Sequence, residues 1–368
     1  MIPTSVLLAM FALGQTDAKP DWRELTQKPF AGLTLPDQGL EPLLVDGDKK
    51  VATREDWAPR RRALEARWQE RLGTAPEKAK ALDVRVEEEV DEKDHVRRLV
   101  TFQATRDNRI RAYLLIPKHL LTKTGAGVSK APAVVVFHQT TKDTFKEPPG
   151  LGKNATLAIG LHLVKRGYVV LCPECFILQG DWAKAQAEVI AKMWPGWTGM
   201  GKMTFDASRC VDFLLSLNFV DAGKIGCIGH SLGAKETLYA MAFDERFKAG
   251  VFSEGGIGLR MSNWTDPWYL TERMKRHIPS MEHHQLLALI APRPILIVGG
   301  DSADGDLSWA FIRAALPVYD LYGAGAGIGL VNHHAKHTFP RAARALSYRW
   351  LDHWLDFTPR SDEVGPEK

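Results

Sequence analysis

A serine between two glycines, with a histidine and acidic residues far downstream, can turn an alcohol into a nucleophile. Gly229-His230-Ser231-Leu232-Gly233 supplies the serine. Its hydroxyl stays a weak nucleophile until a general base takes the proton, and that base needs a third group to fix its tautomer and orientation. In a G-x-S-x-G turn the small neighbours let a strand and a helix approach closely, which lifts the hydroxyl above the sheet edge. The next backbone N–H, here that of Leu232, then faces a developing oxyanion. The pattern is common by chance, and an ordinary strand-to-helix turn is the plain alternative. Here the apolar run Ile225–Ile228 leads directly into it and the helical pattern Ala234–Phe243 follows. Ser231 is therefore the expected nucleophile of an ester-hydrolysing site.

Three histidines compete for the base in Asn332-His333-His334-Ala335-Lys336-His337-Thr338-Phe339-Pro340. His337 is expected to serve, in the loop past the last strand and just before Pro340. His333 and His334 lie nearer the strand end and read as structural. For the acid, Gly299-Gly300-Asp301-Ser302-Ala303-Asp304-Gly305-Asp306 offers three carboxylates. Asp304 is the expected orienter, a short loop beyond its strand. Glu254, in Ser253-Glu254-Gly255-Gly256, is the alternative acid, since a carboxylate after the preceding strand can reach the same imidazole. The second oxyanion donor should come from the loop His138-Gln139-Thr140-Thr141, as the N–H of Thr140.

Such residues must be carried to one place by regular elements. From Ala133 onward, apolar β-branched runs (Val134–Phe137, Val169–Leu171, Ile225–Ile228, Val251–Phe252, Ile295–Val298, Ile328–Val331) alternate with helical patterns (Leu157–Arg166, Phe205–Leu217, Ala234–Phe243, Trp309–Leu316, Arg341–Trp354). Near-continuous hydrophobic strands between helices imply an α/β fold, its mostly parallel central sheet covered by helices on both faces. Three β-patterned segments precede it (Val84–Val90, Val96–Ala104, Ile110–Ile116), and Asp107-Asn108 suggests a hairpin, so an antiparallel N-terminal β pair is expected. Arg54–Leu72 reads as a helix with Trp57, Leu64, Trp68 and Leu72 on one face. The expected organisation is a candidate signal peptide (1–14), an N-terminal lead-in and helix (15–80), a catalytic domain (81–358) and a C-terminal tail (359–368).

The chain has 368 residues, 45% of them hydrophobic, enough for one large core. Its 48 Lys and Arg against 44 Asp and Glu include no basic stripe, so no nucleic-acid partner is expected. The apolar run Val6–Leu13, with small residues at Ala12 and Gly14, resembles a secretory signal but is too short to span a bilayer. The expected location is periplasmic or secreted, and otherwise cytoplasmic. Cys172-Pro-Glu-Cys175 forms a C-x-x-C, but it closes an apolar run instead of opening a helix, so a buried strand end is expected over a redox or metal site.

The stretch from Ala133 to Trp354 resembles the α/β-hydrolase superfamily, in its dienelactone hydrolase and acetylxylan esterase-like branch. The matching landmarks are Phe137-His138-Gln139-Thr140-Thr141, Arg166-Gly167-Tyr168-Val169-Val170, Gly226 to Gly233, Ala291-Pro292-Arg293-Pro294, and His337 near Pro340. The resemblance implies an α/β-hydrolase fold, a Ser–His–Asp triad, no cofactor, and ester substrates. No metal is expected either, because no second Cys or His pair sits at a spacing matching Cys172 and Cys175. Dienelactone hydrolases proper carry a cysteine nucleophile where this chain has Ser231, which points to ordinary carboxylic esters. Glucuronoyl esterases are similar at two further places. They have a lysine four residues after the serine, as Lys235 is, which binds sugar hydroxyls, and some use a glutamate placed as Glu254 is. They usually carry an arginine where this chain has Leu232.

Eleven tryptophans are present, five of them (Trp194, Trp197, Trp264, Trp268 and Trp309) in loops expected at the sheet's C-terminal edge. Flat aromatic faces stack on sugar rings, although packing under a long loop explains a single Trp equally well. Lys235, Trp264 and Trp268 are the expected substrate-binding residues. Arg260 could pair with a substrate carboxylate or with a surface Asp. The expected activity is that of a serine carboxylic-ester hydrolase on a small or polysaccharide ester, such as acetylated xylan. Alternatives are a glucuronoyl esterase-like activity with Glu254 as acid, and a non-catalytic carbohydrate-binding homologue.

Overall fold

Val134, Val135 and Val136 stand in a run with no polar neighbour between them, and a strand made that way needs cover on both faces. In the computed structural model, which describes residues 20–28, 33–121, 129–180, 182–278 and 280–367, every residue of that strand is buried. The candidate signal peptide lies outside the described residues. The sheet strands are β1 (Arg85–Asp91), β2 (His95–Thr105), β3 (Asn108–Pro117), β4 (Ala131–Phe137), β5 (Val169–Pro173), β6 (Val220–His230), β7 (Phe247–Ser253), β8 (Ile295–Gly299) and β9 (Ile328–Asn332). Their spatial order is β9-β8-β7-β6-β4-β5-β3-β2-β1. From β9 to β5 all neighbours are parallel. The antiparallel pair expected at the start is the β2–β3 hairpin; β1 extends it at the edge, and β3 joins it to β5.

Helices cover both faces. Against one lie α2 (Arg54–Leu72), α4 (Ala183–Met193), α5 (Gly199–Leu215), α6 (Leu232–Phe243), α7 (His284–Ile290) and α8 (Trp309–Leu321). Against the other lie α1 (Trp22–Thr26), α3 (Ile159–Arg166) and α9 (Arg341–Trp354). Helix α2 starts where Thr53 and Asp56 cap each other reciprocally. Helix α5 begins six residues before the apolar period starts, because the Thr198 side chain accepts from Gly201 N–H at 3.0 Å. The C-terminal tail folds back: Val364 is buried, and its carbonyl accepts from Arg344 Nε at 2.9 Å. Among the described residues no helix is long and apolar enough to cross a membrane.

The register of the sheet places the chemistry. Phe137 pairs with Gly229, His230 with Ser253, Ser253 with Val298, and Gly299 with Asn332. The strands β4, β6, β7, β8 and β9 therefore end in one row, and their following loops emerge side by side. Chain order reverses between β4 and β6, the kind of switch point where open α/β sheets bind ligands.

Candidate active site

Ser231 is the single residue between β6 and α6, and its backbone sits at φ 58° and ψ −116°. A left-handed φ is unfavourable for a residue with a Cβ, by about 1–3 kcal/mol, and persists only where the surroundings impose it. Ser231 N–H is held by Ser253 O at 2.8 Å. The flanking glycines are sterically required. A Cβ on Gly229 would stand 2.2 Å from the Gly233 backbone, and one on Gly233 would stand 2.1 Å from Phe137 O. His230 turns into the core, with Nδ1 3.0 Å from Ser253 Oγ and its ring between those of His337 and Phe339. Burial drives its pKa down to about 3, so this imidazole is neutral.

Above the elbow, Ser231 Oγ–H donates to His337 Nε2 at 2.9 Å, and His337 Nδ1–H donates to Glu254 Oε2 at 3.2 Å. The carboxylate thereby fixes the tautomer that leaves Nε2 free to accept. Glu254 is itself rigidly held. It has a positive φ of 54° and a fully buried side chain, and it accepts from Ala303 N–H at 2.8 Å and also from Gly300 N–H.

The expectation that Asp304 orients the imidazole is therefore corrected. Asp304 accepts from Gly256 N–H at 2.6 Å, Ile257 N–H at 2.8 Å and Ser308 Oγ at 2.9 Å, and its side chain has no hydrogen bond to His337. The cause lies in the turn after β8. Gly300 N–H and Asp301 N–H both return to Asp304 O, at 3.1 and 2.9 Å, so the loop doubles back and aims the Asp304 side chain at the segment after Glu254. Burial raises its pKa to about 6. Asp301 binds His334 Nδ1 at 2.6 Å and Asn332 Nδ2 at 2.7 Å, while Asp306 accepts from Asn332 Nδ2 at 2.9 Å.

Two further residues support this arrangement: Ser253, which the sequence did not single out, and His333, which read as structural. Ser253 holds both Ser231 and His230, as above. His333 staples the loop that carries His337: Nδ1 accepts from Ala335 N–H at 3.0 Å and Nε2–H donates to Thr338 O at 3.1 Å. The signal available for Ser253 was position, since it ends β7, the strand beside β6, whereas His333 follows β9 at the edge of the sheet.

Leu232 is the first residue of α6, where the amide has no partner within the helix and the helix dipole is positive. Thr140 is exposed in the loop after β4, which runs beside the elbow because Phe137 and Gly229 are register partners. The substrate-binding expectations fare differently. Trp264 is fully buried and donates Nε1–H to Gly256 O at 2.6 Å, so it cannot present a face to a sugar. Lys235 is 3% exposed; its ammonium donates to Ser262 Oγ at 2.8 Å and Asn263 Oδ1 at 2.9 Å, over the rings of Trp264 and Tyr269. Trp264 was expected at a surface because the segment after Glu254 read as an open loop, and Lys235 because it stands four residues after the serine as in glucuronoyl esterases. That segment instead folds down over α6 and buries both. Burial lowers the Lys235 pKa to about 7. Trp268 and Trp194 are half-buried, while Trp197 and Trp309 are buried and Arg260 is exposed. All four cysteines are free and buried.

The sequence profile of the Dienelactone hydrolase family matches residues 110–304. The hydrolase YtaP of Bacillus subtilis is 25% identical over 217 residues, 53% of this chain and 67% of that protein. Carbohydrate esterase MZ0003, from an unknown prokaryotic organism, is 29% identical over 154 residues, 35% of this chain and 34% of that protein. Among solved structures, the glucuronoyl esterase from Solibacter usitatus superposes with a TM-score of 0.70 at 18% identity, covering 86% of this chain and 98% of that one. That last likeness is one of fold.

Proposed function

This chain belongs to the dienelactone hydrolase family of carboxylic ester hydrolases, and we propose that it acts on carbohydrate esters through Ser231, His337 and Glu254. The observation that carries the reading is the unbroken hydrogen-bonded run from the Ser231 hydroxyl through His337 to the buried Glu254 carboxylate. Ser231 Oγ attacks the ester carbonyl as His337 Nε2 takes its proton. The tetrahedral oxyanion is received by the N–H groups of Leu232 and Thr140, and loss of one such donor costs about 3 kcal/mol of transition-state stabilisation. The imidazolium, stabilised by Glu254, then protonates the departing alcohol. Water, activated by the same imidazole, attacks the acyl-enzyme and releases the acid. None of these steps uses a cofactor.

A carbohydrate ester is the proposed substrate class. Trp268 is half-buried in the segment after Glu254 and is the proposed partner of a sugar ring, and two similar proteins carry carbohydrate esterase and glucuronoyl esterase in their names. A glucuronoyl-type ester is favoured over acetylated xylan because the acid follows β7, as in the glucuronoyl esterases that use a glutamate there. Export to the periplasm or the medium belongs to the same proposal, carried by the apolar run at residues 6–13. The test is a panel of glucuronoyl methyl ester, acetylated xylan and short acyl esters, assayed with the natural protein and with Ser231→Ala. Turnover of a sugar ester that disappears in the variant supports the reading. Sugar binding with no turnover of any ester would favour a non-catalytic homologue instead.

A further inference from the structure

His138 is a buried histidine outside the Ser231–His337–Glu254 run, at the start of the loop that follows β4. Its two ring nitrogens have partners of opposite kind. Cys175 N–H can only donate, and it lies 3.0 Å from His138 Nε2, so Nε2 accepts and the ring proton sits on Nδ1. Nδ1–H then donates to the carbonyl oxygen of Gln139 at 2.8 Å. That carbonyl belongs to the peptide that joins Gln139 to Thr140. In a trans peptide the C=O and N–H bonds point in opposite directions. Drawing the carbonyl down to a buried ring turns the Thr140 N–H outward, away from the core.

We propose that His138 is a positioning residue for the oxyanion hole, locking the Gln139–Thr140 peptide so that Thr140 N–H faces the developing oxyanion. The inference rests on the functional reading above, in which Thr140 is one of the two donors. Two further contacts serve the same end. The Cys175 bond ties the ring to the corner after β5, which references the loop to a second strand of the sheet. The Gln139 side chain is itself tied to the buried Glu147, whose Oε1 accepts from Gln139 Nε2 at 3.0 Å. An oxyanion donor helps catalysis only if it is already aimed before charge develops, and a peptide held at its carbonyl by a rigid ring meets that requirement.

Asparagine and glutamine dissect the two contacts. In His138→Asn the side-chain amide reaches the place of Nδ1 and keeps a donor for Gln139 O. In His138→Gln it reaches the place of Nε2 and keeps an acceptor for Cys175 N–H. Each variant loses one buried hydrogen bond, so the two should melt at similar temperatures. His138→Gln should lower kcat on an ester roughly 10²–10³-fold with KM little changed, while His138→Asn stays within about tenfold of the natural protein. Affinity for a boronic acid, which forms a tetrahedral adduct with the serine, should fall in step with kcat. Equal kcat in the two variants, or losses that merely follow melting temperature, would overturn the proposal. A measurement on the unmodified protein stands beside it: ¹⁵N NMR of the His138 ring should find the proton on Nδ1, and a proton on Nε2 would also overturn it. Absence of Ser231-dependent turnover in the unmodified protein would sink the functional reading itself; turnover with no difference between the variants sinks only the role of His138.

Discussion

Glu254 and His337, 83 residues apart in sequence, meet at 3.2 Å across the end of β8, the strand that separates their own strands β7 and β9. The loop leaving β8 lies between them and supplies two backbone N–H groups, from Gly300 and Ala303, to the carboxylate. It supplies no acid to the imidazole. The aspartate on it, Asp304, braces the Gly256–Ile257 backbone from below.

The two carboxylates should therefore separate by phenotype. Glu254→Gln keeps the shape but removes the charge that stabilises the imidazolium, and kcat should fall on the order of 10³-fold or more. Asp304→Asn should leave kcat far closer to that of the natural protein. Its cost should appear as roughly 1–3 kcal/mol of stability, from the weakened bracing of two buried N–H groups. Steady-state kinetics beside urea unfolding of both variants checks this, and the reverse pattern would reinstate Asp304 as the acid.

Two tryptophans in one segment should also part company. Trp264 is packed against Tyr239, His283 and Lys235. Trp264→Ala should cost about 3–5 kcal/mol of stability, as core aromatic truncations do. Trp268→Ala should change stability little and raise KM for a sugar ester while leaving a small synthetic ester unaffected. An unchanged KM for every sugar ester would remove Trp268 from the substrate face.

Glu236 provides a pH-dependent check on the packing beneath the elbow. Burial holds its carboxyl up to about 8 against an ordinary 4.5, and nearby Asp206 adds to the rise. Between those two values the unfolded chain has lost a proton that the folded chain retains. Stability contributed by this group is therefore greatest below pH 4.5 and falls as pH rises toward 8, by at most about 1.4 kcal/mol per pH unit. Glu236→Gln removes that slope, so its melting temperature should gain on that of the natural protein as pH is raised from 5 to 8. Parallel curves in calorimetry would contradict the assignment.

The C-x-x-C pair gives a simpler test. Cys172 and Cys175 are buried thiols, and burial raises both pKa values, so neither is poised as a thiolate. A thiol reagent added at neutral pH should leave the native protein unlabelled and modify the cysteines only after denaturant. Rapid labelling of the native protein would reopen a redox role.

The strand–elbow–helix unit around Ser231 was legible because its causes are local: an apolar β-branched run, two glycines and a helical period. The same holds for most of the sheet, whose strands are written as uninterrupted hydrophobic runs. The choice between Asp304 and Glu254 was not legible. It depends on how a short loop folds back on itself, through bonds from Gly300 and Asp301 to the Asp304 carbonyl, and periodicity carries no information about that. Lys235 and Trp264 misled for a related reason. Their residue types suit a sugar site, but the segment after Glu254 closes over α6 and buries them against each other.

The central claim is that the Ser231 hydroxyl is activated by His337. Its most direct measurement is reaction of the folded protein with a fluorophosphonate, followed by mass spectrometry of the peptide containing residue 231. A single adduct on Ser231, formed rapidly in the natural protein and slowed by orders of magnitude in His337→Ala, is the predicted result. A serine that stays unmodified, or one that reacts equally fast without His337, would contradict it.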